Sequence, residues 1–126
     1  MKLHASGEDY LEAMLIIERK KGAVRSIDIA ERLGVTRPSV SRAVSLLKKG
    51  GFVASKDNLL YLTGTGRTVA EKIYERHCYF KQRLIDVGVD EKTAEKEACL
   101  LEHSLSDDSF NKIKKAADGK QNKSNK

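Results

Sequence analysis

Gly34 stands between two short amphipathic stretches, and no other feature restricts the chain as much. Upstream runs Ser26-Ile27-Asp28-Ile29-Ala30-Glu31-Arg32-Leu33. Ile29, Ala30 and Leu33 share one helical face, Ser26 has the chemistry of an N-cap, and Gly34 supplies a sharp stop. Downstream, Thr36 is placed to cap a second helix. Pro38 is tolerated in its first turn, where amides have no intrahelical acceptor. Val40, Val44 and Leu47 fall at i, i+4 and i+7 and predict the buried stripe. The opposite side carries Ser41, Arg42, Ser45, Lys48 and Lys49. A short helix, a tight turn and a helix with a basic outer face form the pattern of a helix-turn-helix that reads DNA. The same stretches also suit an ordinary helical hairpin.

The charge balance bears on that choice. Lys and Arg number 24 against 18 Asp and Glu, a net charge of +6, which suits a polyanionic partner. At 126 residues the chain has the length of one ordinary domain, or of a small one with an extension. The longest early apolar run, residues 13–17, is flanked by acidic residues. No secretory or membrane-spanning segment is expected, and the location predicted is cytoplasmic. Cys78 and Cys99 are therefore expected as thiols or metal ligands, not as a disulfide.

Taken in order, residues 9–20 read as a first helix with a stripe of Tyr10, Met14 and Ile17, and Gly22 as its end. Asp9 and Glu12, three residues apart, share a different face. After the helix-turn-helix, residues 52–55 and 59–62 read as two strands joined by Lys56-Asp57-Asn58. Such a hairpin is the wing of a winged helix, with Lys56 at its tip. Thr63 is placed to cap a long helix over about residues 65–86, whose stripe is Val69, Ile73, His77, Phe80 and Leu84. Asp90 is placed to cap a helix over residues 91–104, and Ser106 a short last helix holding Phe110 and Ile113. From Asp118 no apolar residue follows. The organisation predicted is a winged helix-turn-helix DNA-binding domain over 1–64, a helical metal-binding and dimerisation arm over 65–117, and a disordered tail over 118–126. The fold class is mainly α with a small β-wing.

A second constellation lies in the helical half. Cys99, Glu102 and His103 stand at i, i+3 and i+4 and share one helical face, so a thiolate, a carboxylate and an imidazole converge. Such donors bind divalent transition metals. Asp9 with Glu12, and His77 in its apolar stripe, offer further donors. Each also has a plainer role: His77 as a hydrogen-bonded core histidine, Cys99 as a small buried hydrophobe, and Asp9 and Glu12 as acids favoured by a helix macrodipole.

Both constellations occur together in one family. The chain resembles the metal-dependent transcriptional repressors related to the diphtheria toxin repressor, most closely the short manganese-responsive branch without an SH3-like domain. The resemblance runs from about Glu8 to Phe110. It is carried by Glu-Asp-Tyr-Leu-Glu at 8–12, Asp-Ile-Ala-Glu-Arg-Leu-Gly-Val at 28–35 and Pro-Ser-Val-Ser at 38–41. Leu-Thr-Gly-Thr-Gly at 62–66, Arg-His at 76–77 and Glu-Ala-Cys-Leu-Leu-Glu-His-Ser-Leu-Ser at 97–106 extend it.

The resemblance implies a homodimer that binds a double-stranded DNA operator under control of a metal, with no membrane and no organic substrate. It places Asp9, Glu12, His77, Glu102 and His103 on ligand positions of the manganese branch. Cys99 departs from that branch, which has a carboxylate there. The iron-responsive branch has Cys at that place, but Met where this chain has Asp9 and an acidic residue where it has Lys81. The ligand set is thus a hybrid: its oxygens favour Mn(II), and one thiolate favours Fe(II), Co(II) or Zn(II). Mn(II) and Fe(II) are the physiological candidates, with Co(II) or Zn(II) expected to bind in vitro. Arg37, Pro38, Ser39 and Arg42 are expected near the bases, and Thr36, Ser41, Ser45, Lys48, Lys49 and Lys56 at phosphates. The rival readings are a winged-helix regulator responding to a small organic ligand or to none, and a small metal hydrolase with Glu102 as general base. The many donors argue against the hydrolase, because they leave no open coordination position.

Overall fold

A computed structural model describes residues 5–124, with side-chain surroundings for residues 6–117. Its elements are α1 (Ala5–Lys21), α2 (Ser26–Leu33), α3 (Arg37–Lys49), β1 (Val53–Lys56), β2 (Leu59–Leu62), α4 (Gly64–Asp86), α5 (Glu91–Leu101) and α6 (Asp107–Ser124). The chain divides into two compact units, Met1–Glu75 and Arg76–Lys126, with the division inside α4.

The first unit is built on an apolar core. Leu11, Met14, Leu15, Ile29 and Val40 are wholly buried, and Val44, Leu47, Phe52, Leu60 and Leu62 join them. Each large side chain so buried contributes about 1.5–3 kcal/mol. The predicted stripe on α3 is present as read. That on α1 is wider than its spacing suggests: Tyr10 through Leu15 and Ile17 are all buried, Glu12 among them. This helix is central to its unit and is covered on nearly every side, so a single stripe understates it.

Caps and turns explain most of the element ends. Thr36 Oγ1 accepts from the Ser39 amide at 3.2 Å, and Thr63 Oγ1 from the Gly66 amide at 3.1 Å. Ser26 does not cap α2. Arg25 holds the N-cap position, and its amide donates to the Asp28 carboxylate at 3.1 Å. Asp28 also accepts from Lys21 Nζ at 3.0 Å; that hydrogen bond, then the Arg25 amide, holds its carboxyl below the usual range. A charged acceptor one turn into the helix thus displaces the hydroxyl expected there. Gly34 ends α2 at φ 66°, the left-handed conformation of a C-terminal cap, and the Val35 amide closes the motif onto the Ala30 carbonyl.

The wing is an antiparallel hairpin in which Val53 pairs with Leu62 and Lys56 with Leu59. Lys56 is therefore the last residue of β1, and the turn is Asp57-Asn58 alone. Both have positive φ, 53° and 65°, which matches the two-residue turn that follows strand twist. The Leu60 amide donates to the Val24 carbonyl at 2.9 Å and ties the wing back to the segment between α1 and α2. Gly66 is required by a close approach: a Cβ there would meet the Phe52 carbonyl oxygen at 2.0 Å. Arg67 clamps Glu18 of α1 with contacts of 2.8 and 2.9 Å.

The second unit has a different interior. Its buried apolar residues are Ala94, Ala98 and Phe110, with Tyr79 and Phe80 edge-on or tilted around the Phe110 ring. Asp90 caps α5 through the Thr93 amide, and Ser106 caps α6 through the Ser109 amide, each as expected. Two boundaries differ from the sequence-based expectation. Helix α5 ends at Leu101, so Glu102 is its C-cap and His103 lies in the following turn. The stretch from Asp118, expected to be disordered, continues α6 as far as Ser124. Its Lys and Gln residues are good helix formers, which offset the roughly 1 kcal/mol that Gly119 costs. The last part of the predicted tail, residues 125–126, lies outside the described residues.

Candidate DNA interface and metal centre

The outward side of α3 is polar and basic. Arg37, Pro38, Ser41, Arg42, Ser45, Lys48 and Lys49 are exposed, as is Thr36 at the cap. No acidic residue occurs in this helix. Ser39 is half-buried and already engaged: its hydroxyl accepts from Thr36 Oγ1 at 2.9 Å and from Arg42 Nη2 at 3.5 Å. Arg42 is thereby drawn toward the N-terminal end of the helix, the end that faces base edges in helix-turn-helix readers. Lys56 stands exposed at the end of β1, as expected for the wing. An open groove runs between the start of α2, the face of α3 and the wing, lined by Arg25, Arg37, Ser41, Lys48, Lys56 and Asn58 among others. Arg25 was not singled out in the sequence. Its place in the groove depends on how α2 turns against the wing.

In the second unit, His77 from α4 meets Cys99 and Glu102 from α5. His77 Nδ1 is 3.0 Å from Glu102 Oε2 and 3.7 Å from Cys99 Sγ. The ligating atoms of all three lie within 4.8 Å of one another. Glu102 is wholly buried, His77 is 7 % exposed, and Cys99 lies at the open edge as a free thiol. His103 Nε2 is 3.3 Å from Glu102 Oε1, an oxygen that accepts no hydrogen bond although it is buried. A buried carboxylate oxygen without a donor is costly, and a cation is the natural complement to it. Thiolate, imidazole and carboxylate are also the donors a divalent transition metal takes. The residues present therefore fit a metal.

The local sequence explains how these side chains are held. Small Ala94 and Ala98 are the buried residues of α5. Arg76, 6 % exposed, reaches past the end of α5 and donates to the carbonyls of Glu102 and Leu105 at 3.3 and 2.6 Å. It also pairs with Asp107 and stacks over Phe110. Carbonyls left unpaired at a helix end are thus satisfied by one guanidinium, which fixes the turn bearing His103. Hydrogen bonds from Cys99 first and Glu102 second, opposed by burial and aided by Glu95, push His77 up to about 11. Glu95 was not foreseen as part of the site. Its carboxylate is 2.9 Å from His77 Nε2, and a signal for it existed: 95, 99 and 102 form one helical stripe. Asp9 and Glu12, the other expected ligands, lie on α1 in the first unit, Glu12 buried and Asp9 partly so. Cys78, to which no role was given, is exposed.

A winged helix with a basic reading face, followed by helices holding a partly buried His/Cys/Glu cluster, defines a metal-binding DNA-binding regulator. Comparison with known proteins makes this specific. Residues 2–59 match the iron dependent repressor N-terminal DNA binding domain, and residues 63–121 the iron dependent repressor metal binding and dimerisation domain. The chain belongs to the iron dependent repressor family and is a metal-responsive DNA-binding transcriptional repressor. It is 34 % identical over 110 residues to an uncharacterized HTH-type transcriptional regulator of Methanocaldococcus jannaschii, covering 85 % of this chain and 88 % of that protein. It is 36 % identical over 109 residues to the HTH-type transcriptional regulator MntR of Lysinibacillus sphaericus, covering 86 % of this chain and 78 % of that one. Among solved structures it is similar to a manganese-dependent transcriptional repressor in complex with manganese, with a TM-score of 0.77 and 28 % identity over 85 % of this chain. This chain spans 50 % of that structure's length. No helix among the described residues is long and apolar enough to cross a membrane.

Proposed function

We propose that this chain acts in the cytoplasm as a homodimer that represses metal-homeostasis genes when Mn(II) or Fe(II) is abundant. The observation that carries the reading is the convergence of His77, Cys99 and Glu102, with the Glu102 oxygen that lacks a hydrogen-bond donor. His103 stands beside that oxygen and is the fourth ligand proposed here. Asp9 and Glu12 are added by the family resemblance. Manganese is favoured by the oxygen donors and by the relatives named for it; iron is favoured by the thiolate. A bound divalent metal would supply positive charge at the Glu102 oxygen that accepts no hydrogen bond.

Arg37, Ser39 and Arg42 are proposed near base edges, with Pro38 shaping the first turn. Thr36, Ser41, Ser45, Lys48, Lys49 and Lys56 are proposed at phosphates, with Arg25 added from the groove. A dimeric reader needs its recognition helices about 34–36 Å apart, one turn of DNA. Metal binding raises the fraction of dimers with that spacing, and by linkage operator DNA tightens metal binding by the same factor. The test is a gel shift with promoter DNA under a chelator and under each of Mn(II), Fe(II), Co(II) and Zn(II). Retarded bands are expected with Mn(II) or Fe(II) and not with the chelator. Equal binding under all five conditions overturns the metal reading.

A further inference from the structure

Two side chains beside the cluster have no part in the reading above: Glu95 and Lys81. Both ring nitrogens of His77 are engaged. Nδ1 faces Glu102 Oε2 at 3.0 Å and Cys99 Sγ at 3.7 Å, while Nε2 lies 2.9 Å from Glu95 Oε1. The second oxygen of Glu95 is 2.9 Å from Lys81 Nζ, and Lys81 also reaches Glu91 at 3.8 Å. The arrangement follows from helical spacing. His77 and Lys81 are one turn apart on α4, and Glu91, Glu95 and Cys99 are successive turns of α5. A histidine that gives one nitrogen to a metal keeps a proton on the other. The acceptor of that proton sets the ring's orientation and raises its basicity.

We propose that Glu95 is a positioning residue that turns His77 Nδ1 toward Cys99 and Glu102, and that Lys81 holds Glu95 to that task. The proposal rests on the metal reading above. Glu95 is given no ligand role: it meets the ring nitrogen of His77 that does not face Cys99 and Glu102, and its second oxygen is held by Lys81. The Lys81 ammonium beside it also repels a second dication at that spot. Burial pushes the Glu95 carboxyl up, and hydrogen bonds from Lys81 and His77 outweigh it and hold the group below its ordinary range, so it is a charged acceptor. Its side chain is 48 % exposed, so replacing it leaves the packing of the unit intact.

The test uses the full chain loaded with Zn(II) or Co(II). In the Zn(II) form with 15N-labelled histidine, long-range proton–nitrogen spectra should show His77 with Nδ1 on the metal and a slowly exchanging proton on Nε2. Glu95→Ala should lower Co(II) affinity by about 10–100-fold, the usual range for loss of an orienting partner, and make the Nε2 proton exchange fast. The thiolate-to-Co(II) absorption band should persist, because Cys99 is untouched. Glu95→Gln keeps an oxygen acceptor and should recover part of the affinity. Lys81→Met should weaken binding less than Glu95→Ala, and should add nothing in a Glu95→Ala background, because it acts through Glu95. Wild-type affinity in Glu95→Ala overturns the proposal, as does metal bound to Nε2. A Glu95→Ala spectrum showing a lost carboxylate ligand overturns it by making Glu95 a ligand. Additive losses for Lys81→Met overturn the part given to Lys81. Absence of Co(II) and Zn(II) binding by the wild-type chain overturns the metal reading itself, an outcome distinct from all of these.

Discussion

The two units put their polar residues to opposite uses. In the first, the interior is apolar apart from Glu12, and the residues proposed to meet DNA are almost all on the surface, where they cost the fold little. In the second, Arg76, His77 and Glu102 are themselves the buried centre, and the apolar residues around them are Ala94, Ala98 and Phe110. A unit of the first kind is stabilised by burial of carbon, and its reading face can be changed without unfolding it. A unit of the second kind has charges at its centre that need partners, so what binds there also decides how well it holds together. A sensor gains from that property, because the ligand's binding energy is not separable from the order it imposes.

The largest effect that sharpens this contrast is expected from Glu102→Gln. Losing the buried carboxylate should reduce Mn(II) and Co(II) affinity by more than about 100-fold, beyond the range seen for orienting partners. Metal-dependent retardation of operator DNA should vanish with it. A retained metal response in the gel shift would move the site elsewhere. Leu11→Ala should act on the other unit, costing about 2–5 kcal/mol as a large-to-small change at a wholly buried position. Urea unfolding checks it, and a loss under about 0.5 kcal/mol, the range of a surface substitution, would mean the core is looser than its burial indicates.

Arg42→Ala should cost about 1–3 kcal/mol on the preferred operator and relax its sequence preference, the mark of a base contact. Lys49→Ala should instead weaken all DNA alike and reduce the salt slope by about one unit. Equal loss on every sequence for Arg42→Ala would reassign that residue to the backbone.

Cys99→Ala should weaken all metals and abolish the near-ultraviolet thiolate band of bound Co(II). Cys99→Glu should also lack the band but shift preference toward Mn(II). An unchanged spectrum in Cys99→Ala would reduce that cysteine to packing.

The smallest effect concerns protons. In the metal-free chain the hydrogen bonds of His77 raise it from an ordinary 6.5 to about 11. Its contribution to metal-free stability is therefore complete below about pH 6.5 and is lost as pH rises toward about 11. Metal needs the neutral ring, so uptake at pH 7 should release a proton and affinity should climb with pH. Calorimetry in buffers of different ionisation enthalpy measures that release, and identical heats in all buffers would refute it.

Most of the architecture was legible because it is local. The stripe of Val40, Val44 and Leu47, the caps at Thr36, Thr63, Asp90 and Ser106, and the wing follow from spacing and side-chain chemistry within a few residues. Cys99, Glu102 and His103 stood out as candidate donors by the same local spacing; the structure groups Cys99 and Glu102 with His77 and sets His103 beside Glu102 in the turn after α5. Where two acceptors compete locally, spacing alone failed: Ser26 lost the cap of α2 to Asp28, whose charge and contact with Lys21 make it the stronger partner.

What tertiary structure alone decided is the set of contacts between elements. The sequence displays His77 as an odd member of an apolar stripe, but not that its two nitrogens face different carboxylates, Glu102 on one side and Glu95 on the other. Nor does it display that Arg76 reaches forward to close the end of α5. Helix periodicity says which side chains share a face; it carries no information about which face of another helix lies opposite. That is settled by which side chains are buried together, Ala94 and Ala98 of α5 among them, and by the need of buried polar atoms for partners, conditions that exist only once the chain has folded.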